Sequence, residues 1–287
     1  MIDLKPVIEA QPSLRDVIEQ SGLRATKALG QNFLMDHKIT DKIVRHAHGL
    51  DGRQSGDLTG YTVFEIGPGP GGLTRSILKA NPDKLIAIEF DERAVNALQP
   101  LKQAAGERLE IIHGDATKQD LKALIEPAGK PCKIIANLPY NVATPLLTGW
   151  LHDMYEAAPY DEMLLMFQKE VAQRICASVG GKHYGRLAVL AQWLMRCKIS
   201  FDLPPGAFSP PPKVKSAIVN FRPQEFTQAD FKKIERVTAA AFGQRRKMIR
   251  QSLKPYIKAV EELGIDPTLR AENLKIEDFI ALAQKID

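Results

Sequence analysis

Short apolar runs alternate with longer helical patterns through the middle of this chain, from residue 61 to residue 195. Each run has the length and composition of a strand, and the segments between the runs place apolar residues every three or four positions. This βαβα order predicts an α/β fold, in which helices cover both faces of a parallel sheet. The predicted strands are residues 61–66, 85–90, 109–113, 133–136 and 163–167. The predicted helices are residues 73–79, 92–104, 145–151, 169–177 and 187–195.

The pattern changes after these elements. Two more strand-like runs, 198–203 and 214–221, flank the proline-rich segment 204–212, and we expect them to form an antiparallel hairpin that closes the sheet. Beyond Pro223 only helical periodicity remains. We therefore predict an α/β domain over residues 1–223 and a small all-helical domain over residues 224–287.

The residues before the first strand indicate helices joined by a loop. Ser13 and Asp16 match a capping box ahead of a short helix, and Gly22 is placed to end that helix. The residues ahead of Ser13 are interpreted as an extension of the same helix. Residues 26–34 are too polar and too interrupted by glycine for a strand, and they lead into a helix over 36–48.

Composition excludes several classes of protein. The 287 residues, 44% hydrophobic and 25% charged, indicate an ordinary folded chain. The three cysteines form no C-x-x-C pair and the six histidines have no zinc-type spacing, so we expect reduced thiols and no metal site. The longest apolar stretch, residues 187–195, is too short to cross a bilayer, and the N-terminus has no signal-peptide pattern. We expect a cytoplasmic protein.

Positive charge is concentrated in one part of the chain. The whole sequence has a net charge of +5, whereas residues 182–258 hold sixteen Lys or Arg against four Asp or Glu, a net +12. Such a segment fits a surface that binds a polyanion such as nucleic acid. Taken alone, a solvated basic face explains the same pattern equally well.

A glycine-rich turn, EIGPGPGG over residues 65–72, follows the first predicted strand. Glycines at this place let the backbone approach a ligand at the C-terminal edge of a sheet. Glu89 ends the second strand, where a carboxylate can accept hydrogen bonds from a ribose. The turn and the acid together predict a cofactor that contains a nucleoside. NAD is disfavoured, because Pro68 and Pro70 remove backbone donors that a pyrophosphate needs.

Two further segments follow the third and fourth strands. Asp115 is a turn former or helix cap if read alone, but after the first two motifs it is a candidate acceptor for an adenine amine. The sequence NLPY over residues 137–140 is the most specific motif. An adenine amine is a poor nucleophile, and the Asn137 side-chain oxygen and the Leu138 carbonyl can accept its N–H bonds and favour a reactive geometry. Pro139 directs the backbone and Tyr140 offers a ring for stacking a base.

These segments together resemble the ribosomal RNA adenine dimethyltransferases. The resemblance extends from about residue 14 to the C-terminus, and within the family the bacterial small-subunit enzymes are the most similar. It rests on motifs that occur in order: GQNFL at residues 30–34, EIGPG at 65–69, Glu89, Asp115, NLPY at 137–140 and FSPPPKV at 208–214.

The resemblance implies a Rossmann-like class I methyltransferase sheet with a helical C-terminal domain. The implied reaction is dimethylation of the exocyclic amine of two adjacent adenosines in a hairpin near the 3′ end of 16S rRNA. The methyl donor would be S-adenosylmethionine, without a metal. The implied partner is 16S rRNA within the 30S subunit or its precursor, and the implied enzyme is a cytoplasmic monomer with a role in subunit biogenesis.

The resemblance also implies the roles of single residues. The implied cofactor ligands are Asn32, Leu34, Gly67, Glu89, Asp115 and Asn137. The implied catalytic residues are Asn137, Leu138, Pro139, Tyr140 and Phe208, with the target adenosine flipped out of its stack and held between Tyr140 and Phe208. The basic run from Arg245 to Arg250 is expected to follow the RNA backbone, and Arg186 is either a further RNA contact or part of a salt bridge.

Four alternatives to this function stay open at this point. A large-subunit rRNA methyltransferase of the kind that confers macrolide resistance would share the same active-site chemistry. A DNA adenine methyltransferase is less similar, because those enzymes carry Pro-Pro-Tyr where this chain has Leu-Pro-Tyr. A non-catalytic ribosome-assembly factor is the third alternative, and an NAD-dependent oxidoreductase is the fourth.

Overall fold

The computed structural model describes residues 3–23, 25, 31–125 and 131–286. Residues 26–30, which include the start of the GQNFL motif, lie outside the described residues. The strands are β1 (Phe33–Leu34), β2 (Thr62–Ile66), β3 (Lys84–Glu89), β4 (Leu109–His113), β5 (Cys132–Ala136), β6 (Glu162–Gln168), β7 (Met195–Leu203), β8 (Phe208–Ser209) and β9 (Ser216–Pro223).

The helices lie between these strands and after them. They are α1 (Lys5–Glu9), α2 (Leu14–Ser21), α3 (His37–Arg45), α4 (Gly72–Lys79), α5 (Glu92–Ala97), α6 (Gln99–Ala105), α7 (Leu121–Ile125), α8 (Ala143–Ala157), α9 (Lys169–Ile175), α10 (Arg186–Leu194), α11 (Phe231–Gly243), α12 (Ile249–Ser252), α13 (Ile257–Glu262) and α14 (Ile276–Lys285).

Seven strands form the central sheet, in the order β4-β3-β2-β5-β6-β9-β7. The first five are parallel, so their C-terminal ends meet at one edge. β9 pairs antiparallel with both β6 and β7. The α/β prediction and the antiparallel hairpin at the end of the sheet are therefore confirmed, and β9 inserts between β6 and β7.

Both faces of the sheet are buried. One apolar cluster joins β2, β5 and β6 to α8, α10 and the C-terminal helices, and it includes Trp150, Trp193, Phe231 and Phe279. The opposite face packs against α1, α3, α4 and α6. Among the described residues after Pro223, all regular elements are helical. They share the first cluster with the sheet, and the division at residue 224 stays a prediction.

Four sequence-based expectations are corrected. The predicted helix 92–104 is two helices that meet at Leu98, because Pro100 in the first turn of α6 has no N–H to continue the ladder of α5. The helix predicted over 145–151 runs from Ala143 to Ala157. The residues ahead of Ser13 form a separate helix, α1, and Phe33–Leu34 form a short strand instead of a loop. That strand depends on its partner β8, which lies far along the chain.

The remaining local expectations hold. Ser13 and Asp16 form the capping box of α2, and Gly22 ends this helix in a left-handed conformation with φ 63°. Cys132, Cys176 and Cys197 form no disulfide bond. Within the described ranges, every helix is too short or too polar to cross a membrane.

Candidate active site

A cavity opens at the C-terminal edge of the parallel strands, between the loops that follow β2, β3, β4 and β5. Residues 31–34 cover it from one side. Nine residues that were predicted from the sequence line this cavity: Asn32, Leu34, Gly67, Glu89, Asp115, Asn137, Leu138, Pro139 and Tyr140. The cavity therefore brings together all of the predicted cofactor ligands and most of the predicted catalytic residues.

The glycine turn after β2 lies close to the segment that carries Phe33 and Leu34. Gly69 has φ 55°, and a Cβ atom there would lie 3.2 Å from the Phe33 ring. A Cβ atom on Gly72 would lie 2.5 Å from the Leu34 carbonyl oxygen, which is closer than any real contact. Glycine is therefore required at both positions for residues 33–34 to close over the turn.

Glu89 holds the glycine turn. One of its carboxylate oxygens accepts the Gly69 N–H at 2.9 Å and the other accepts the Asp91 N–H at 2.8 Å. The side chain is only 5% exposed, and burial raises the pKa of Glu89. Each carboxylate oxygen has a second lone pair, so Glu89 can still accept hydrogen bonds from ribose hydroxyls in the cavity.

Glu65 is a buried acid to which the sequence assigned no role. It is 1% exposed at the end of β2, and its Oε2 atom has no hydrogen-bond partner among the described residues. Burial first, and the nearby Glu89 carboxylate second, raise the pKa of Glu65 to about 8. Glu65 lines the cavity, and a cationic ligand group beside it would favour its ionised form.

Asp115 has the local geometry of a cap as well as a place in the cavity. Its Oδ1 atom accepts the Thr117 N–H at 3.0 Å and the Thr117 hydroxyl at 2.7 Å. These two bonds, the hydroxyl bond first, lower the pKa of Asp115. Asp115 is therefore ionised at neutral pH and is positioned to accept a hydrogen bond from a ligand.

The NLPY loop lies between the glycine turn and residues 31–34. The Asn137 amide nitrogen donates to the Asn32 carbonyl oxygen at 3.3 Å, which leaves the Asn137 side-chain oxygen available as an acceptor. A Cβ atom on Gly67 would lie 3.6 Å from Cδ of Pro139. The glycine turn and the NLPY loop are thus in contact at the ends of the adjacent strands β2 and β5.

Tyr140 is anchored by a residue that the sequence motifs did not include. Its hydroxyl lies 2.6 Å from Oγ of Ser216, the first residue of β9. Phe90 was also missed, although it follows Glu89 directly; it is 61% exposed and lines the cavity. Phe90 could have been predicted from the sequence, because it directly follows Glu89 at the end of a predicted strand.

Phe208 lies elsewhere than expected. It is 4% exposed and packs in the apolar cluster against α3 and α4, and it does not line the cavity. Its backbone pairs with Leu34, which joins β8 to β1. In this conformation Phe208 supports the segment that closes the cofactor side of the cavity, and its contact with a target base stays a prediction.

The basic segment divides into paired and unpaired cations. Arg245 contacts Glu272 at 3.1 Å, and Arg186 contacts Glu235 at 2.7 Å, so the salt-bridge interpretation of Arg186 is confirmed. Arg246 and Lys247 are exposed and form no ion pair with the described residues. Arg250 is likewise exposed and without an ion pair among the described residues, so Arg246, Lys247 and Arg250 are the unpaired cations of the run.

A model of the ribosomal RNA adenine dimethylase family matches residues 22–287. The chain belongs to this family. A protein named ribosomal RNA small subunit methyltransferase A from Agrobacterium fabrum is 52% identical over 279 residues, which cover 96% of this chain and 98% of the relative. The family that the sequence motifs indicated is therefore confirmed.

Solved structures show the same fold. A dimethyladenosine transferase from Plasmodium falciparum superposes with a TM-score of 0.72 at 26% identity, over 87% of this chain and 95% of its own. The 23S rRNA methyltransferase ErmE has the same fold, with a TM-score of 0.63 at 22% identity, over 88% of this chain and 98% of its own. The class I methyltransferase fold with a helical C-terminal region is therefore confirmed.

Proposed function

We propose that this enzyme transfers methyl groups from S-adenosylmethionine to the exocyclic amines of two adjacent adenosines in a hairpin near the 3′ end of 16S rRNA. Its proposed substrate is the small ribosomal subunit or a precursor, and we propose that it acts in the cytoplasm as a monomer. The relative that is 52% identical carries a small-subunit name, which favours this target over the large subunit.

The residues of the cavity fit S-adenosylmethionine. Gly69 and Gly72 let residues 33–34 pack closely against the glycine turn, and the acids Glu89 and Asp115 offer acceptors for the hydroxyls and the amine of an adenosine. Glu65 also lines the cavity, and the cationic amino-acid portion beside it would favour its ionised form. We place Asn32, Leu34, Gly67 and Asn137 as the remaining contacts. The cofactor, when bound, supplies a methyl group that is already activated by a sulfonium.

The catalytic work of the protein is then to hold the target amine in line with that methyl group. The Asn137 side-chain oxygen and the Leu138 carbonyl accept the N–H bonds of the amine, which favours a geometry with an available nitrogen lone pair. Tyr140 stacks on the flipped base, and Pro139 sets the direction of the loop. The methylated amine is strongly acidic while cationic, so no dedicated base is needed.

One observation carries this proposal: a single cavity holds both the cofactor motif and the NLPY motif. Gly67 and Pro139 lie next to each other at its wall, and the Asn137 amide donates to the Asn32 carbonyl oxygen. A methyl donor and a flipped adenine held by these groups would lie side by side, which is what in-line transfer requires.

Tritiated S-adenosylmethionine tests the proposed substrate. The protein is incubated with 30S subunits from a strain that lacks the modification, and 50S subunits and DNA serve as controls. We expect label in the rRNA of the 30S subunits alone. Label in 50S rRNA or in DNA, with none in 30S rRNA, would contradict the small-subunit assignment.

A further inference from the structure

Tyr140 lies on the loop that follows β5, and its hydroxyl forms a hydrogen bond with a residue outside that loop. The hydroxyl lies 2.6 Å from Oγ of Ser216, 76 residues further along the chain. Ser216 is fully buried and pairs with Gln168 of β6 on one side and with Leu203 of β7 on the other. Among the described residues, the Ser216 hydroxyl has no other polar partner. The sheet therefore presents a fixed hydroxyl to the tip of a loop side chain.

We propose that Ser216 is a positioning residue, which holds the Tyr140 ring in its place against the target base. The proposal rests on the proposed function, in which Tyr140 stacks on a flipped adenine. A hydrogen bond at the hydroxyl restrains the first side-chain torsion of tyrosine and so fixes where the ring lies. Stacking depends on the offset between the two rings, so a fixed ring position matters for holding the base.

A purely structural role for Ser216 makes different predictions from a positioning role. Loss of a structural hydrogen bond lowers the thermal midpoint and leaves the rate of the folded enzyme unchanged. Loss of a positioning bond lowers the rate of methyl transfer, whereas affinity for the subunit stays constant because a large surface outside the cavity carries it. The hydrogen bond joins two hydroxyls, so removal of either the Ser216 or the Tyr140 hydroxyl should lower the rate by a similar factor.

A double-mutant cycle separates the two roles. Ser216→Ala, Tyr140→Phe and the combined variant are compared in single-turnover methylation of unmodified 30S subunits at saturating S-adenosylmethionine. We expect each single change to lower the rate about five- to tenfold, the typical effect of one lost neutral hydrogen bond. The combined variant should be no slower than the slower single variant. Additive losses, or a wild-type rate for Ser216→Ala, would overturn the proposal.

The fluorescence of a base analogue in the RNA reports how well the target base stacks on the Tyr140 ring. A hairpin RNA with 2-aminopurine at the target position becomes bright when the base leaves its stack and is quenched when the base stacks on Tyr140. We expect Ser216→Ala to increase the bound fluorescence and Ser252→Ala to leave it unchanged, because Ser252 has a buried hydroxyl without a partner among the described residues. Equal fluorescence for wild type and Ser216→Ala would count against a positioning role.

The outcomes distinguish this proposal from the proposed function. If the wild-type protein fails to label 30S rRNA, the proposed function is wrong. If the wild type is active and Ser216→Ala is equally active, only the role of Ser216 is wrong. If Ser216→Ala folds poorly, Tyr140→Phe decides, because it removes the same bond without emptying a buried site.

Discussion

Glu89 accepts the backbone N–H of Gly69 at 2.9 Å, so the acid at the end of β3 ties down the glycine turn of β2. Its second oxygen accepts the Asp91 N–H and so fixes the start of the following helix. The same carboxylate therefore shapes the cofactor turn and faces the cavity. A ligand that contacts Glu89 therefore lies next to the glycine turn, whose conformation Glu89 stabilises through the Gly69 N–H.

Substitution of Glu89 should weaken cofactor binding. We expect Glu89→Ala to lower the affinity for S-adenosylmethionine by about 1 to 3 kcal/mol, because a hydroxyl pair loses a charged acceptor and the turn loses its tether. Glu89→Gln keeps one acceptor oxygen and should lose less. Isothermal calorimetry measures both, with the exposed Glu92→Gln as the control. An unchanged affinity for Glu89→Ala would remove this residue from the site.

Glu65 should make the stability of the cofactor-free protein depend on pH. Burial raises its pKa from 4.5 to about 8 in the folded state, so the folded protein holds a proton that the unfolded chain releases. Its contribution to stability is full below pH 4.5 and is lost as the pH rises towards about 8. We expect the thermal midpoint of Glu65→Gln to fall less than that of the wild type over this range. Parallel midpoint curves for the two proteins would contradict the buried, protonated state.

The features of the fold that could be predicted from the sequence depend on short, local patterns of residues. The strands found at Lys84–Glu89 and Leu109–His113 match the predicted runs within one residue. Lys84–Glu89 is buried along almost its whole length, and such burial on both faces produces a nearly continuous apolar sequence. The candidate site followed from the same pattern, since motifs at the ends of parallel strands must meet at one edge. Pro100 was visible in the sequence and was not used, which explains the missed break between α5 and α6.

The parts that were missed depend on contacts between distant segments. No local pattern links Ser216 to Tyr140, and the pairing of Phe33–Leu34 with Phe208–Ser209 exists only when the chain has folded. Phe208 was expected in the cavity because the resemblance implies a contact with the target base. A resemblance does not fix side-chain packing, and in this structure Phe208 is buried and its backbone pairs with that of Leu34.

A buried ion pair at the opposite edge of the sheet should support the fold and not the chemistry. Lys133 and Glu162 are 2% and 1% exposed, and Nζ of Lys133 lies 2.7 Å from Oε2 of Glu162. Glu162 also accepts from the His48 N–H and from the Asn220 amide. Burial alone would raise the pKa of Glu162, but the Lys133 ammonium holds it below its ordinary value.

Removal of one partner of this pair leaves a buried charge without compensation. We expect Lys133→Met to lower the free energy of unfolding by about 3 to 5 kcal/mol. The methylation rate of the folded fraction at low temperature should stay close to that of the wild type, because both residues lie at the N-terminal ends of their strands, away from the cavity. Urea denaturation measures the free energy of unfolding, and single-turnover methylation measures the rate. A folded but inactive variant would show that this network reaches the active site.

The unpaired cations at Arg246 and Lys247 should carry RNA affinity. We expect the double reversal Arg246→Glu/Lys247→Glu to weaken RNA binding and to flatten the slope of log affinity against log salt, because fewer counterions are released. The control is Lys5→Glu/Lys38→Glu, which changes the total charge equally at exposed positions in the N-terminal part of the chain. An equal slope for the two double variants would assign the basic run to a solvated face.

Asn137 should separate chemistry from binding. Its amide nitrogen is engaged by the Asn32 carbonyl, so its oxygen is the atom available to accept from the target amine. We expect Asn137→Ala to lower the methyl-transfer rate by orders of magnitude and to leave subunit affinity nearly intact, because an interaction that strengthens in the transition state acts on the chemical step. Asn137→Asp keeps an acceptor oxygen and loses the donor to Asn32, so it should retain more of the rate than Asn137→Ala.

The rate is taken from single-turnover methylation of unmodified 30S subunits at saturating S-adenosylmethionine, since Asn137 also lines the cofactor side of the cavity. Calorimetry with the cofactor and the thermal midpoint of each variant show whether binding or the turn itself has been lost. A fall in the rate with both of these unchanged assigns the oxygen of Asn137 to the target amine. A wild-type rate for Asn137→Ala would instead leave this residue the role that its strand-end position alone suggests, which is to form the turn after β5.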